Sequence, residues 1–371
     1  MQEYIGLGLM SGTSRDGLDM AACRFREEQG RWQYEILAAD TVPYDAERQQ
    51  QLAGAMDLKA SALRELDVTF GAWMGTAAAA FIRKHQLRVD YVASHGHTVY
   101  HQPAKGFTQQ IGCGHSLFAV LGLPVIADFR QLDVRLGGQG APLVPIGDRL
   151  LFADYDACLN LGGFANISFE QDGERIAFDI VPVGQVLNRL AAREGMVYDV
   201  DGALAASGSL IPAFAERLRA IPYLRREGPK SLGEEDVLQS YLPLLDGSAT
   251  ADLLHTYVDF VAEEIAVVIT KRLEKNGNRE IMVLATGGGA WNSFLIEKIG
   301  YYCGRNAGLV LPEAELVNFK EAVVFALLGA LRLSGQTNTL KSVTGASRDS
   351  SGGVIYGDAS STIVTTLNPN L

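Results

Sequence analysis

Three apolar runs in this chain empty into small, polar, glycine-bearing turns, and these residue types at these places suit anion binding. Tyr4 to Met10 leads into Ser11, Gly12, Thr13, Ser14, Arg15, Asp16 and Gly17, after which Leu18 and Asp19 open the next stretch. Ala157 to Leu161 leads into Gly162, Gly163 and, three residues on, Asn166, while Ile281 to Ala285 enters Thr286, Gly287, Gly288 and Gly289. Such turns expose backbone N–H groups, and the missing side chains let a phosphate approach them. A single glycine hairpin is ordinarily only a turn. Three of them argue for a nucleotide gripped from several sides. None has the Lys-Ser/Thr of a phosphate loop or the dinucleotide fingerprint with its following acid.

The acids come next. Asp179 ends the run Phe178-Asp179-Ile180-Val181-Pro182. Apolar surroundings there would raise its proton affinity and suit a general base acting on water or a hydroxyl; the alternative is a turn or helix-capping acid. Asp16, Asp19, Asp128, Asp133, Asp199, Asp201 and Glu321 sit near turns or strand ends, where an acid can orient substrate or reach Mg²⁺ through water, although most such acids are plain turn residues. His95 and His97 flank Gly96, and they face one side only if the strand beginning at Tyr91 continues through them. With no third ligand at metal spacing, a hydrogen-bonding role in a polar pocket is expected rather than zinc. Arg130, two residues after Asp128, suits either bidentate capture of a carboxylate or a structural ion pair.

The elements that must position these groups alternate between strand and helix, which points to α/β layers. A hairpin, a third strand (Trp32 to Ala39) and a helix (Ser61 to His85) are followed by short strands at Tyr91–Ser94 and Pro124–Ala127. The pattern then recurs: a hairpin over Ala157 to Phe169, a third strand over Arg175 to Ile180, and helices, the longest at Thr250 to Lys275 with its stop at Asn276-Gly277. This reads as an internal duplication of topology. Gly137 to Pro142 reads as the connection between halves, giving domain I as 1–140 plus 340–371 and domain II as 141–339.

A chain of 371 residues suits two domains. Its net charge of −11, without a dense Lys/Arg stripe, argues against nucleic acid as a partner. No apolar run is long enough for a bilayer, so no membrane partner is expected. Four scattered cysteines read as reduced thiols, from which a cytoplasmic location is expected.

The chain resembles the anhydro-N-acetylmuramic acid kinase family, within the sugar kinase, Hsp70 and actin superfamily. The resemblance rests on GLMSGTSRDGLD (Gly8 to Asp19), SHGHTVYH (Ser94 to His101), ADFRQLDVRLGGQGAPLVP (Ala127 to Pro145), LNLGGFANIS (Leu159 to Ser168), YDVDGALAASG (Tyr198 to Gly208), GGGAWN (Gly287 to Asn292), KEAVVFALLG (Lys320 to Gly329) and SVTGA (Ser342 to Ala346), in the family's order along nearly the whole chain. It implies a two-domain actin-like, ribonuclease-H-like ATPase fold with an interdomain cleft. It implies ATP with Mg²⁺, the phosphates near Gly12 to Asp19 and near Gly162, Gly163 and Asn166, the nucleoside near Gly287 to Gly289, and a homodimer. The family's catalytic acid falls on Asp179, which would activate water against the anomeric carbon of 1,6-anhydro-N-acetylmuramic acid while the released O6 takes the γ-phosphoryl group. His95, His97, Thr98, Asp128, Arg130 and Glu321 fall on the sugar side.

Two departures stand out. Where the family usually reads Asp-Thr-Gly-Pro-Gly-Asn, this chain has Asp179-Ile180-Val181-Pro182-Val183-Gly184, and His97 replaces the usual Gln. Leu9 and Met10 stand where many superfamily members carry a metal-binding Asp, so the metal ligands stay unassigned. The alternatives are a related kinase for another small hydroxylated or anhydro-sugar substrate, and a nucleotide-binding scaffold without turnover.

Overall fold

Alternation along the first strand sets the packing of everything around it. In β1 (Gln2–Ser11), Leu7 and Leu9 enter a core with Met20, Phe70 and Met74. Gly6 and Gly8 face the other way, where a Cβ would overlap Tyr91 Oη and the Ala322 carbonyl oxygen respectively. The helix Ala314–Leu333 therefore lies directly on the strand. These are features of a computed structural model, which describes residues 2–12, 15–226, 230–273, 281–305 and 307–357. Thr13, Ser14 and the helix stop at Asn276-Gly277 lie outside the described residues.

The chain divides into two compact units, Met1–Leu151 with Phe319–Leu371, and Phe152–Asn318. In the first, β1 pairs antiparallel with β2 (Gly17–Glu28), which pairs with β3 (Arg31–Pro43). On its other edge β1 lies parallel to β4 (Tyr91–Gln102), which carries β5 (Phe107–Ile111) antiparallel and β6 (Val125–Ala127) parallel; the short strand Val354–Tyr356 closes the edge. The second unit repeats the plan. There β7 (Ala157–Leu161), β8 (Phe164–Gln171) and β9 (Glu174–Pro182) form the meander, and β10 (Ile281–Thr286) and β11 (Ala307–Val310) add in parallel. Orders β3-β2-β1-β4-β6 and β9-β8-β7-β10-β11 are the same arrangement twice, the actin-like α/β fold that the motifs imply.

Three expectations change. β4 runs through the histidines to Gln102, but Gly96 has φ +71° and the pairing with β1 shifts between Leu9 and Ser11. His95 consequently packs edge-on to Phe325 of the Ala314–Leu333 helix, and His97 edge-on to Phe70 of the Ala60–Lys84 helix, so the pair does not share a face. Next, Gly137 to Pro142 is no connection between halves. The N–H groups of Gly138 and Gly140 donate to the Asp133 carbonyl and carboxylate at 2.9 and 2.7 Å, and Gln139 N–H to the Thr344 carbonyl at 2.8 Å, inside the first unit. Finally, the units divide at 151/152 and 318/319, not 140/141 and 339/340. Helix Pro145–Leu151 stays with the first unit because Gly147 admits Val324 closely, and residues from Phe319 onward do so because Tyr91 Oη donates to Ala326 O at 2.6 Å.

Candidate active site

In the second unit the strand registers bring four polar residues into one line. Thr286 on β10 pairs with Asn160 on β7, Asn160 with Asn166 on β8, and Asn166 with Asp179 on β9. Laterally paired residues share a face, so this row of hydroxyl, two amides and a carboxyl lies across the sheet beside the two glycine turns. The Thr286 hydroxyl is fully buried and has no partner among the described residues. Sequence reasoning missed Asn160 and Thr286. Both sit at the end of an apolar run, and only the register shows them beside Asp179.

Asp179 is held from three directions. Its N–H donates to Lys230 O at 3.0 Å, its carbonyl accepts from Tyr223 Oη at 2.7 Å, and its Oδ2 accepts from Leu232 N–H at 2.9 Å. Burial pushes its pKa up to about 6 against the pull of the Leu232 hydrogen bond. One carboxylate oxygen is thereby oriented, and the group titrates where a base serves at neutral pH.

The glycines differ in what the fold demands of them. Gly287 has φ +86°, and a Cβ on Gly287 or Gly289 would lie 2.9 Å from the Leu161 carbonyl oxygen. Those two are required by packing. At Gly288 a Cβ would meet nothing within 4 Å, whereas at Gly162 it would lie 3.3 Å from the Asn160 amide nitrogen and 3.8 Å from the Phe164 carbonyl oxygen, with neither backbone left-handed. The fold leaves open space at Gly288, which is what close approach by a ligand would need, and a tight contact with the Asn160 amide at Gly162. Gly163 faces the Gln185 side chain, and its carbonyl accepts from Val183 N–H at 2.8 Å, fastening the hairpin tip to the start of the helix Gly184–Ala191.

In the first unit, the turn after β1 leads into a hydroxyl relay. Tyr44 Oη donates to Ser11 Oγ at 2.7 Å, and Ser11 Oγ lies 3.0 Å from His97 Nδ1. Burial, with the Arg15 charge, lowers the His97 pKa to about 4. Across the strand, His95 Nδ1 lies 2.8 Å from the Gly96 carbonyl, and its Nε2 faces Arg130 Nε and Nη2 at 3.0 and 2.9 Å. Arg130 Nη1 donates to Gly140 O at 2.7 Å. The guanidinium is thus anchored on an imidazole and a carbonyl rather than in a structural ion pair with a carboxylate.

Burial lowers the Arg130 pKa to about 10, opposed by the charges of Glu321 and Asp133, so it remains a cation at neutral pH. Glu321 keeps accessible surface, yet desolvation pushes its pKa up while Arg130 pulls it down. Burial also raises Asp19, against a 2.6 Å hydrogen bond from Thr41 Oγ1 and with the Asp16 charge adding to the rise. Thr98 Oγ1 accepts from Gln110 Nε2 at 3.2 Å, and Asp128, at φ +59°, accepts from Tyr356 Oη at 2.6 Å. Leu18 buries its side chain in the core, and Gly17 is crowded by Thr41 and Val42, so these two members of the first turn serve the strand.

The first unit therefore gathers Asp19, His95, Arg130 and Glu321 through contact or mutual charge, with His97 beside the first turn. The second gathers Asp179, Asn166, Gly162, Gly163 and Gly287 to Gly289. Among further acids in the sequence, Asp133 caps Gly140 and Thr344, Asp199 accepts from Leu204 and Ala205 N–H at 2.9 Å, and Asp201 bonds Ser293, so all three are structural.

The family model described as anhydro-N-acetylmuramic acid kinase matches residues 2–358. A protein of Xanthomonas oryzae pv. oryzae named anhydro-N-acetylmuramic acid kinase is 35% identical over 371 residues, covering 94% of this chain and 96% of the relative. One of the same name from Pseudomonas putida is 36% identical over 92% of this chain and 96% of its own. A solved ROK family glucokinase from Streptomyces griseus, in complex with glucose and AMPPNP, aligns over 87% of this chain and 98% of its own at 14% identity and a TM-score of 0.40.

Proposed function

The chain belongs to the anhydro-N-acetylmuramic acid kinase family, and we propose that it uses ATP to open 1,6-anhydro-N-acetylmuramic acid with water and to phosphorylate O6, giving N-acetylmuramic acid 6-phosphate. The water oxygen bonds to C1 as the C1–O6 bond breaks. O6 takes the γ-phosphoryl group, ADP leaves, and Asp179 accepts the proton from the attacking water. The supporting observation is the state of Asp179: one oxygen pinned by Leu232 N–H, the carboxylate half-buried, and a pKa of about 6. A carboxylate in that state is oriented and basic enough to deprotonate water as the sugar bond opens.

The polar row beside Asp179 and the open face of Gly288 support a nucleotide reading for the glycine turns. Arg130, anchored but with two N–H groups left over, and Glu321 support a polar sugar subsite. For Mg²⁺, the fit rests on Asp16 and Asp19, whose mutual repulsion a cation would relieve. Mg²⁺ keeps several waters and needs only one or two carboxylates beside substrate phosphates. When bound it would neutralise charge on the transferring phosphoryl group.

Four free, buried cysteines support a reducing cytoplasm. Among the described residues no helix is long and apolar enough to cross a membrane. The homodimer that the resemblance implies would show as twice the chain mass by light scattering. The reaction is tested by turnover in ¹⁸O-water with ATP and the anhydro sugar. Product labelled at C1 and unlabelled in its phosphate supports the reading; no ADP release, or label in phosphate alone, removes it.

A further inference from the structure

Of the three tryptophans in this chain, one is set apart by its surroundings. Trp32 is buried against Tyr4 and Phe25, and Trp73 stacks on Phe70 with the Arg48 guanidinium 4.2 Å from its ring centre. Trp291 is 49% exposed, and among the described residues its ring meets no other ring and no cation. Leaving an indole in water forgoes a large burial gain, yet this one is held in place. Its Nε1–H donates to Asn318 Oδ1 at 3.0 Å, and the neighbouring Val317 carbonyl accepts from Gly287 N–H at 3.2 Å. Two consecutive residues of the Ala314–Leu333 helix thus fasten both ends of the glycine turn.

Between those ends, Ala290 N–H donates to Gly287 O at 2.9 Å and Asn292 N–H to Gly289 O at 3.1 Å, which makes a 3₁₀ turn. Positions three apart eclipse in such a turn. Trp291 therefore stands on the side of Gly288, where a Cβ would meet nothing within 4 Å, while Gly289 faces Leu161. The outcome is bare backbone flanked by an exposed aromatic face. The loop beside it is fastened just beyond the indole: a Cβ on Gly202 would overlap Asn292 Oδ1, and Asp201 Oδ1 accepts from Ser293 N–H at 3.3 Å. That loop carries the exposed Val197, Tyr198 and Val200. One side-chain oxygen each of Asn318, Asp201 and Asn292 is engaged by Trp291, Ser293 and Leu295, so what this edge offers a ligand is chiefly a flat apolar face.

We propose that Trp291 is the stacking wall for the purine base of the nucleotide, which lies over Gly288, with Asn318 as the positioning residue that fixes the indole plane. The proposal rests on the nucleotide reading above. A purine matches the site because its two fused rings are flat and about as wide as the indole, and a base can lie against backbone only where no Cβ intervenes. A sugar ring is puckered and edged with hydroxyls, which an apolar face leaves unpaired. Recognition here is by the face of the base, and stacking of that kind carries most of its energy without hydrogen bonds.

The test reads ADP binding to the whole protein by calorimetry, so it does not depend on turnover. Trp291→Ala should weaken ADP roughly tenfold or more, the scale of losing one base–aromatic stack, while Trp291→Phe should stay within about threefold of wild type. ADP should also quench the part of the tryptophan emission that Trp291→Phe removes. Asn318→Ala should weaken ADP in the wild-type background but not beside Trp291→Phe, because a phenyl ring has no N–H for the amide to hold. Melting curves check each variant, and should Trp291→Ala fail to fold, the wild-type quench and the Asn318→Ala comparison decide. Wild type that binds no ADP removes the nucleotide reading and this inference with it. ADP binding that is unchanged in a folded Trp291→Ala, an emission that ADP leaves untouched, or a weakening confined to the anhydro sugar removes the stacking assignment alone.

Discussion

Arg130 approaches one nitrogen of His95 with two of its own, Nε at 3.0 Å and Nη2 at 2.9 Å, while Nη1 reaches Gly140 O at 2.7 Å. The guanidinium plane is thereby fixed before any ligand arrives, which is the condition for planar recognition. A lysine would keep the charge and lose the plane. Arg130→Lys should lower kcat/KM for the sugar roughly 10–100-fold, the scale of losing charge-assisted hydrogen bonds, with ATP affinity by calorimetry unaltered. Full kcat/KM in this variant would mean that the residue only props up its loop.

Asp179→Asn keeps the shape and an acceptor for Leu232 N–H but abolishes the base. Turnover should fall roughly 10²–10⁴-fold. In the wild type, the rate should decline on the acid side with a pKa of about 6. Stability should move the other way. The folded-state pKa lies above the unfolded one, so the folded state binds the extra proton and wild type loses stability as pH rises through about 4 to 6, on the order of 2–3 kcal/mol. Asp179→Asn should therefore melt above wild type at pH ~8, the gap closing below pH ~4. A variant that melts lower at pH ~8 would contradict the burial argument.

Gly288 and Gly289 are neighbours with opposite constraints. Gly288→Ala meets open space and should leave the melting temperature unchanged while weakening ATP binding. Gly289→Ala collides with the Leu161 carbonyl 2.9 Å away and should lose about 1–3 kcal/mol of stability. Equal effects of the two on melting would refute the distinction.

Asp19→Asn removes one of two mutually repelling acids. If these reach Mg²⁺, the half-saturating Mg²⁺ concentration should rise about tenfold while sugar KM stays level. A shift in sugar KM alone would reassign Asp19.

How much of this was legible beforehand follows from the range of the forces involved. The glycine turns, the acid at Asp179 and the doubled topology are local patterns, and all were readable. The anchoring of Arg130 was not, because His95 lies 35 positions away and the two meet only when β4 and β6 align. Asn160 and Thr286 look like strand ends until register lines them up with Asp179. The division of the chain was misplaced because Gly137 to Gly140 has the composition of a linker, while its N–H groups are taken by Val134, Asp133 and Thr344.

Gly8 offers a last consequence. Its Cα–H is all that separates β1 from the Ala322 carbonyl, one residue beyond Glu321. Any side chain at Gly8 would lift the helix bodily and carry the Glu321 carboxylate outward with it. A strand position with no functional group of its own thus acts as a spacer gauge for an acid more than three hundred residues downstream, and the two sites are free to change only in step.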